Sequence, residues 1–188
     1  MTETRAKEFE KKMLEQILKT AASKSMIYLQ FFIGRVIKIE SLSIYETAQQ
    51  LRTEKDSIIS QIELREGSDV VGSIYMIFPF KIVHRLAENM YEDLIPEILE
   101  KHVLDMAEEM TNIISAPLSE AVTFFRHTTV IPSVARIVSY DEFKSLPLVE
   151  DLVLEIKTGG NMCGEIYFVI EEETVKKLRR TLRMKARR

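Results

Sequence analysis

The chain has 188 residues, 46% of them hydrophobic and 29% charged, with a net charge of −3. That size and balance fit one soluble globular domain with a full core. They exclude a disordered acidic tail and a nucleic-acid binder that works through bulk positive charge.

Residues 3–33 are expected as one long helix. Phe9, Met13, Ile17, Ala21, Tyr28 and Phe31 form its apolar face at helical spacing, and Gly34 is its stop. Residues 35–40 are β-rich and predict a first strand, while the polar stretch 45–56 reads as a short helix or a connection. Ile58, Ile62 and Leu64 alternate with Gln61, Glu63 and Arg65, the pattern of a half-buried strand. Gly67, Ser68 and Asp69 turn the chain into a second strand over 70–78. Pro79 suits the first turn of a helix that includes Ile82, Val83, Leu86 and Met90. A further helix is expected over about 96–116. After it, 122–125 and 128–139 read as extended, with Pro132 placing part of that run at an edge or bend. Residues 152–157, the turn Gly159-Gly160-Asn161 and residues 162–170 predict another hairpin. A last helix begins near Glu171 and runs into a basic tail.

The two hairpins are related. Shifting by 92 positions brings Glu63 onto Glu155, Gly67 onto Gly159, Gly72 onto Gly164, Ile74 and Tyr75 onto Ile166 and Tyr167, Val83 onto Val175 and Leu86 onto Leu178. These are seven identities over the 26 positions 61–86, without a gap. A unit of strand, glycine turn, strand and helix, used twice, implies a pseudo-twofold sheet with helices laid across it.

Chemistry is most legible in residues 104–117. Asp105, Glu109 and Asn112 stand four and three positions apart, and such positions are neighbours on a helix. Leu99, Val103, Met106, Met110, Ile113 and Ile114 recur at three- and four-residue steps as the buried stripe. At about 100° per residue, Asp105, Glu109, Asn112 and Ala116 fall together beside that stripe. A helix so built anchors itself in a core while showing an acid and a carboxamide to whatever docks.

An acidic or Ser position, three residues, Glu, two residues and Asn is a pattern that resembles the signature of the CheC/CheX/FliY family of chemotaxis phosphatases. The duplicated hairpin and helix resemble that family's pseudo-symmetric fold, and the likeness runs from about residue 20 to 182. The resemblance implies an α+β fold: an antiparallel or mixed sheet of about six strands with long helices packed on it, all in one domain over 1–188. Two positions depart from the pattern. The glycine one turn after the Asn is Ala116 here. Pro132 follows Asn112 by twenty residues, where the family's proline follows by slightly more. Aligning Gly34 with Ala116 puts Ser23, Ile27 and Gln30 in the slots of Asp105, Glu109 and Asn112. Ile27 cannot pair with a cation, so the chain holds one intact site and one degenerate site. This is closer to CheX than to two-site CheC, and CheX relatives imply a homodimer.

What the resemblance implies about function is specific. The substrate is a phosphorylated receiver protein of the CheY type, carrying an acyl phosphate on Asp. That partner supplies its own Mg²⁺ and Lys, so no cofactor of this chain is expected. Phosphoryl transfer then depends on positioning and charge stabilisation. Asn112 would orient the attacking water with its carboxamide, and Glu109 would pair with the partner's active-site Lys. Asp105 would support or dock. Glu108 rivals Glu109, but its direction is nearly opposite the apolar stripe and its spacing to Asn112 is four. The alternative is a non-catalytic docking or adaptor module for a receiver or flagellar-switch protein, on the same fold.

Other features carry less. Seven acids between Glu92 and Glu109 against Lys101 are also what a solvated helix face looks like. His84, His102 and His127 lack metal-ligand spacing and read as surface or boundary residues. Cys163 cannot close an internal disulfide, falls in a predicted strand and is expected to be buried packing. The start of the chain lacks the apolar core of a secretion signal, and no apolar run approaches the about 20 residues of a membrane span, so a cytoplasmic location is expected. Residues 176–188 carry eight cations and no acid, which suits a helix C-terminus and leaves an acidic membrane surface open as a partner. Nucleic acid is not expected as a partner.

Overall fold

The computed structural model describes residues 3–45, 51, 53–91, 93–126, 128–146, 152–160, 163–171, 174–176, 178–180 and 182, with backbone alone at 3–7, 125 and 126. The expectations for His127, Glu92, Asn161, Met162, half of the 45–56 connection and the tail beyond 182 lie outside the described residues. The chain opens with α1 (Glu3–Ile33), β1 (Lys38–Tyr45), β2 (Ile58–Glu66), β3 (Asp69–Phe78) and α2 (Phe80–Tyr91). It continues with α3 (Glu100–Arg126), β4 (Ile131–Pro132), β5 (Arg136–Val138), α4 (Tyr140–Lys144), β6 (Leu152–Gly159) and β7 (Gly164–Ile170). Helical residues follow at 174–176, 178–180 and 182.

The strands make one seven-stranded sheet in the order β1-β6-β7-β3-β2-β4, with β5 also paired to β2. Every recorded pairing is antiparallel. The order is palindromic: β7 answers β3, β6 answers β2, and β1 answers the short β4 and β5. The pseudo-twofold axis passes between β3 and β7, where Met76 pairs with Phe168. Those two residues are also 92 positions apart, so they are repeat equivalents facing each other. The sequence repeat and the sheet symmetry are therefore one relation.

The repeat's glycines have a steric cause. A Cβ on Gly72 would lie 1.7 Å from Thr174 Oγ1, and a Cβ on Gly164 would lie 2.4 Å from Ile82 Cδ1. Ile82 and Thr174 are again 92 positions apart. Each glycine thus makes room for the first helical turn of the other repeat. The identities before Gly72 do not survive in space. Gly72 pairs with Leu64 and Gly164 with Thr158, so the second hairpin is shorter by two residues and the first strands are offset by 94. Gln61, not Glu63, occupies the place of Glu155, since the two face Tyr75 and Tyr167.

Both faces of the sheet are covered. Ile62, Leu64, Ile74, Met76, Leu154, Ile156 and Phe168 turn to α1, α2 and α3 and are fully buried there. On the other face Ile59, Tyr75, Ile77, Val153, Tyr167 and Val169 gather around Phe143 of α4. That second layer explains why Gln61, expected at a solvent face, is buried. It donates to Ser73 Oγ at 3.2 Å and to Tyr75 Oη at 3.1 Å. The helix α4 went unread although its cap is visible in the letters. Ser139 precedes Glu142 by three, and Ser139 Oγ accepts from Glu142 N–H at 3.1 Å.

Several expectations shift. The first strand begins at Lys38 and reaches Tyr45, later than expected, because residues 34–37 turn the chain at Gly34, whose φ is 64°. α3 continues through Pro117 to Arg126, so 122–124 are helical and not extended. The burial of Leu118 and Val122 offsets the hydrogen bond that Pro117 cannot donate. On α1 the buried side is Leu14, Leu18, Ala21, Ala22, Met26, Leu29 and Ile33. Of the six residues expected there only Ala21 is buried, whereas Phe9, Met13, Tyr28 and Phe31 are exposed. Two apolar stripes share this helix, and the sheet selects the one with more aliphatic side chains. Cys163 is exposed, one residue ahead of β7, rather than packed within it. Among the described residues no helix is long and apolar enough to cross a membrane.

Candidate functional site

α3 starts at a cap. The Leu99 carbonyl accepts from His102 N–H at 2.9 Å, and His102 Nδ1 accepts from Leu99 N–H at 3.1 Å. These bonds satisfy end groups that a helix start leaves open. They also hold Leu99 at the solvent end, 46% exposed, and not in the buried stripe expected for it. His102 is a capping residue. Among the described residues no group of three His, Cys, Asp or Glu is placed to hold a metal ion.

Past the cap, Val103, Met106, Met110 and Ile114 are fully buried, and Thr111 Oγ1 lies 2.5 Å from Ser60 Oγ on β2. With that side pinned to the sheet, the other side faces out. Asp105 and Glu109 are exposed, while Glu108, Asn112 and Ala116 are half-buried. Of the two neighbouring acids, Glu108, expected to face away from the core, is the more covered one, and Glu109 is the exposed one. Among the described residues none of these three acids makes an ion pair, so Glu109 is open to an external cation. Tyr91, the last residue of α2, borders the acids. Its ring stands 6.1 Å from that of His102. Burial, then the charges of Asp105 and Glu109, push its hydroxyl above the usual tyrosine range.

Asn112 is tied to the chain that returns after α3. Its Oδ1 accepts from Ala135 N–H at 2.8 Å. The returning segment is braced elsewhere too: Val130 N–H donates to Thr123 Oγ1 at 3.0 Å, and Ser133 N–H donates to Glu63 O at 2.8 Å. Pro132 sits in this segment, paired with Leu64 of β2, at the sheet edge its residue type suggested. Neither Tyr91 nor the Ala135 N–H was singled out from sequence. Both approach the site from chain distant from the motif, where spacing gives no signal.

The three positions expected to form a degenerate second site lie on α1. Ser23 and Gln30 are half-buried and Ile27 is 49% exposed. Gln30 Oε1 accepts from Ile37 N–H at 3.2 Å, the same kind of bond that Asn112 makes. The helices lie side by side, joined by Lys24 to Glu120 at 2.9 Å and by Ser25 Oγ donating to the Ile114 carbonyl at 2.7 Å. The α1–α3 layer therefore carries an acid and an amide on one helix, and an apolar side chain with a longer amide on the other.

No protein-family model matches this sequence, and no curated protein does. Solved structures do. FliY from Thermotoga maritima superposes with a TM-score of 0.66 at 19% identity over 98% of each chain. The chemotaxis protein CheX from Desulfovibrio desulfuricans does so with a TM-score of 0.57 at 19% identity, over 83% of this chain and 99% of that one. The chain has the CheC/CheX/FliY fold. A chain of the FliG–FliM complex from H. pylori also shares it, with a TM-score of 0.68 at 9% identity over 91% of this chain and 97% of that one. At such identities the likeness is one of fold. Within that fold, any chemistry of this chain has to come from its own side chains.

Proposed function

We propose that this protein is a CheX-like phosphatase that accelerates hydrolysis of the aspartyl phosphate on a CheY-type receiver. Water attacks phosphorus in line, the bond from phosphorus to the Asp carboxyl oxygen breaks, and carboxylate and inorganic phosphate leave. Asn112 orients the water through its carboxamide. Glu109 pairs with the active-site Lys of the receiver, and Asp105 supports the docked geometry. The receiver brings the Mg²⁺. The observation that carries this reading is the pairing on α3 of an exposed acid without an ion pair among the described residues and, three positions on, a carboxamide held by one hydrogen bond. Positioning of this kind is what a labile acyl phosphate needs from a catalyst.

A non-catalytic docking module has its own support, since a chain of the FliG–FliM complex shares the fold over 91% of this chain. Release of inorganic phosphate from a phosphorylated receiver separates the two. Release that rises with added protein supports the phosphatase. Release that stays at the receiver's own rate despite binding leaves the docking module.

A further inference from the structure

The two long helices carry the same device. In each half an amide side chain accepts the backbone N–H of the residue just before an edge strand: Ile37 before β1, and Ala135 before β5. A shift of 98 carries Val36, Ile37 and Lys38 onto Val134, Ala135 and Arg136. In both halves the valine is exposed, at 77% and 80%. The half that has lost its acid keeps this bond, so the bond belongs to the fold and Glu109 is what distinguishes the intact half.

The donor at Ala135 is fixed independently of Asn112. Ser133 bonds Glu63 twice, through its N–H at 2.8 Å and its Oγ at 2.9 Å, and Arg136 pairs with Gln61 in the sheet. A fixed N–H beside a carboxamide permits one of its two flipped orientations. The carbonyl oxygen fits, whereas the NH2 group would set donor against donor. One lone pair of Oδ1 is then used, and among the described residues the second lone pair and both Nδ2 hydrogens remain. We infer that the Ala135 N–H is a positioning group for Asn112: it fixes which edge of the carboxamide meets the partner, and the bond persists when the partner docks. The first half of this inference concerns the free protein, and only the second rests on the phosphatase reading.

Hydrogen exchange at the Ala135 amide, followed by NMR, tests the first half. Protection is expected in the wild type and in Asn112→Asp, which keeps an acceptor. In Asn112→Ala exchange should be about tenfold faster or more, with Val138 unchanged. Equal exchange at Ala135 in wild type and Asn112→Ala overturns the bond. The second half is read with a receiver domain carrying beryllofluoride on its Asp. The Asn112 Nδ2 resonances should shift while Ala135 stays protected. Loss of protection at Ala135 on docking means that the carbonyl leaves its donor, and overturns the positioning role. Ala135→Pro, which lacks the N–H, should lower kcat about tenfold with KM unchanged, and full kcat in that folded variant also overturns it. If no receiver binds, the phosphatase reading falls, while exchange in the free protein still decides the bond.

Discussion

Glu109 and Asn112 sit three positions apart on α3 and meet different surroundings. Glu109 is exposed, so replacing it by Gln should change stability by no more than about 0.5 kcal/mol. On the proposed function the same change removes the charge that pairs with the receiver's Lys, and it should weaken docking about tenfold, an effect that grows at low salt. Titrating a labelled receiver into both proteins at two salt concentrations checks this. Asn112 has a structural bond as well, so Asn112→Ala should cost about 1 kcal/mol in urea denaturation in addition to its effect on hydrolysis. The motif letters were readable because Asp105, Glu109 and Asn112 obey local helical spacing. The Ala135 donor was not readable, because it arrives 23 residues later through a segment whose path depends on β2.

At the scale of elements, helix and strand positions followed from periodicity wherever one face was apolar. The reading failed where two signals competed. α1 carries two apolar stripes, and only packing selects between them. Pro117 is a helix breaker on its own, yet Leu118 and Val122 bury themselves by continuing the helix. Gly72 and Gly164 were visible as identities, but their reason, the crossing of the other repeat's helix, is a tertiary one. Gly72→Ala should destabilise by about 1–3 kcal/mol, the range for overpacking. Thr174→Ala in the same chain should recover most of that loss, because it removes the oxygen at 1.7 Å. A double-mutant cycle in thermal unfolding measures the coupling, and additive losses would mean that Gly72 is there for another reason.

Across the whole molecule, the pseudo-twofold axis through the Met76 and Phe168 pair sets both helices of the α1–α3 layer on one face of the sheet. The opposite face holds a polar cluster in which Glu155 accepts from Tyr45 Oη at 2.6 Å. Tyr167 gives its one hydroxyl proton to Glu165, and its Oη lies 3.4 Å from Glu155 Oε1. Burial first, then the Glu165 bond, raise the Tyr167 hydroxyl above its ordinary value. A raised value means that the folded state holds this proton more tightly than the unfolded one. Its contribution is full below the ordinary tyrosine value of about 10 and is lost as pH climbs through the folded value. Denaturation midpoints should therefore fall above about pH 10, and Tyr167→Phe should flatten that fall.

The central claim is that the amide of Asn112 speeds hydrolysis on a docked partner. Its most direct test is the half-life of the receiver's aspartyl phosphate with wild-type protein and with Asn112→Ala, each paired with affinity for the beryllofluoride-loaded receiver. The expected result is a half-life shortened about tenfold or more by the wild type, unshortened by the variant, with affinities matching within about threefold. A half-life that the wild type leaves unchanged, or that Asn112→Ala shortens equally, would contradict it.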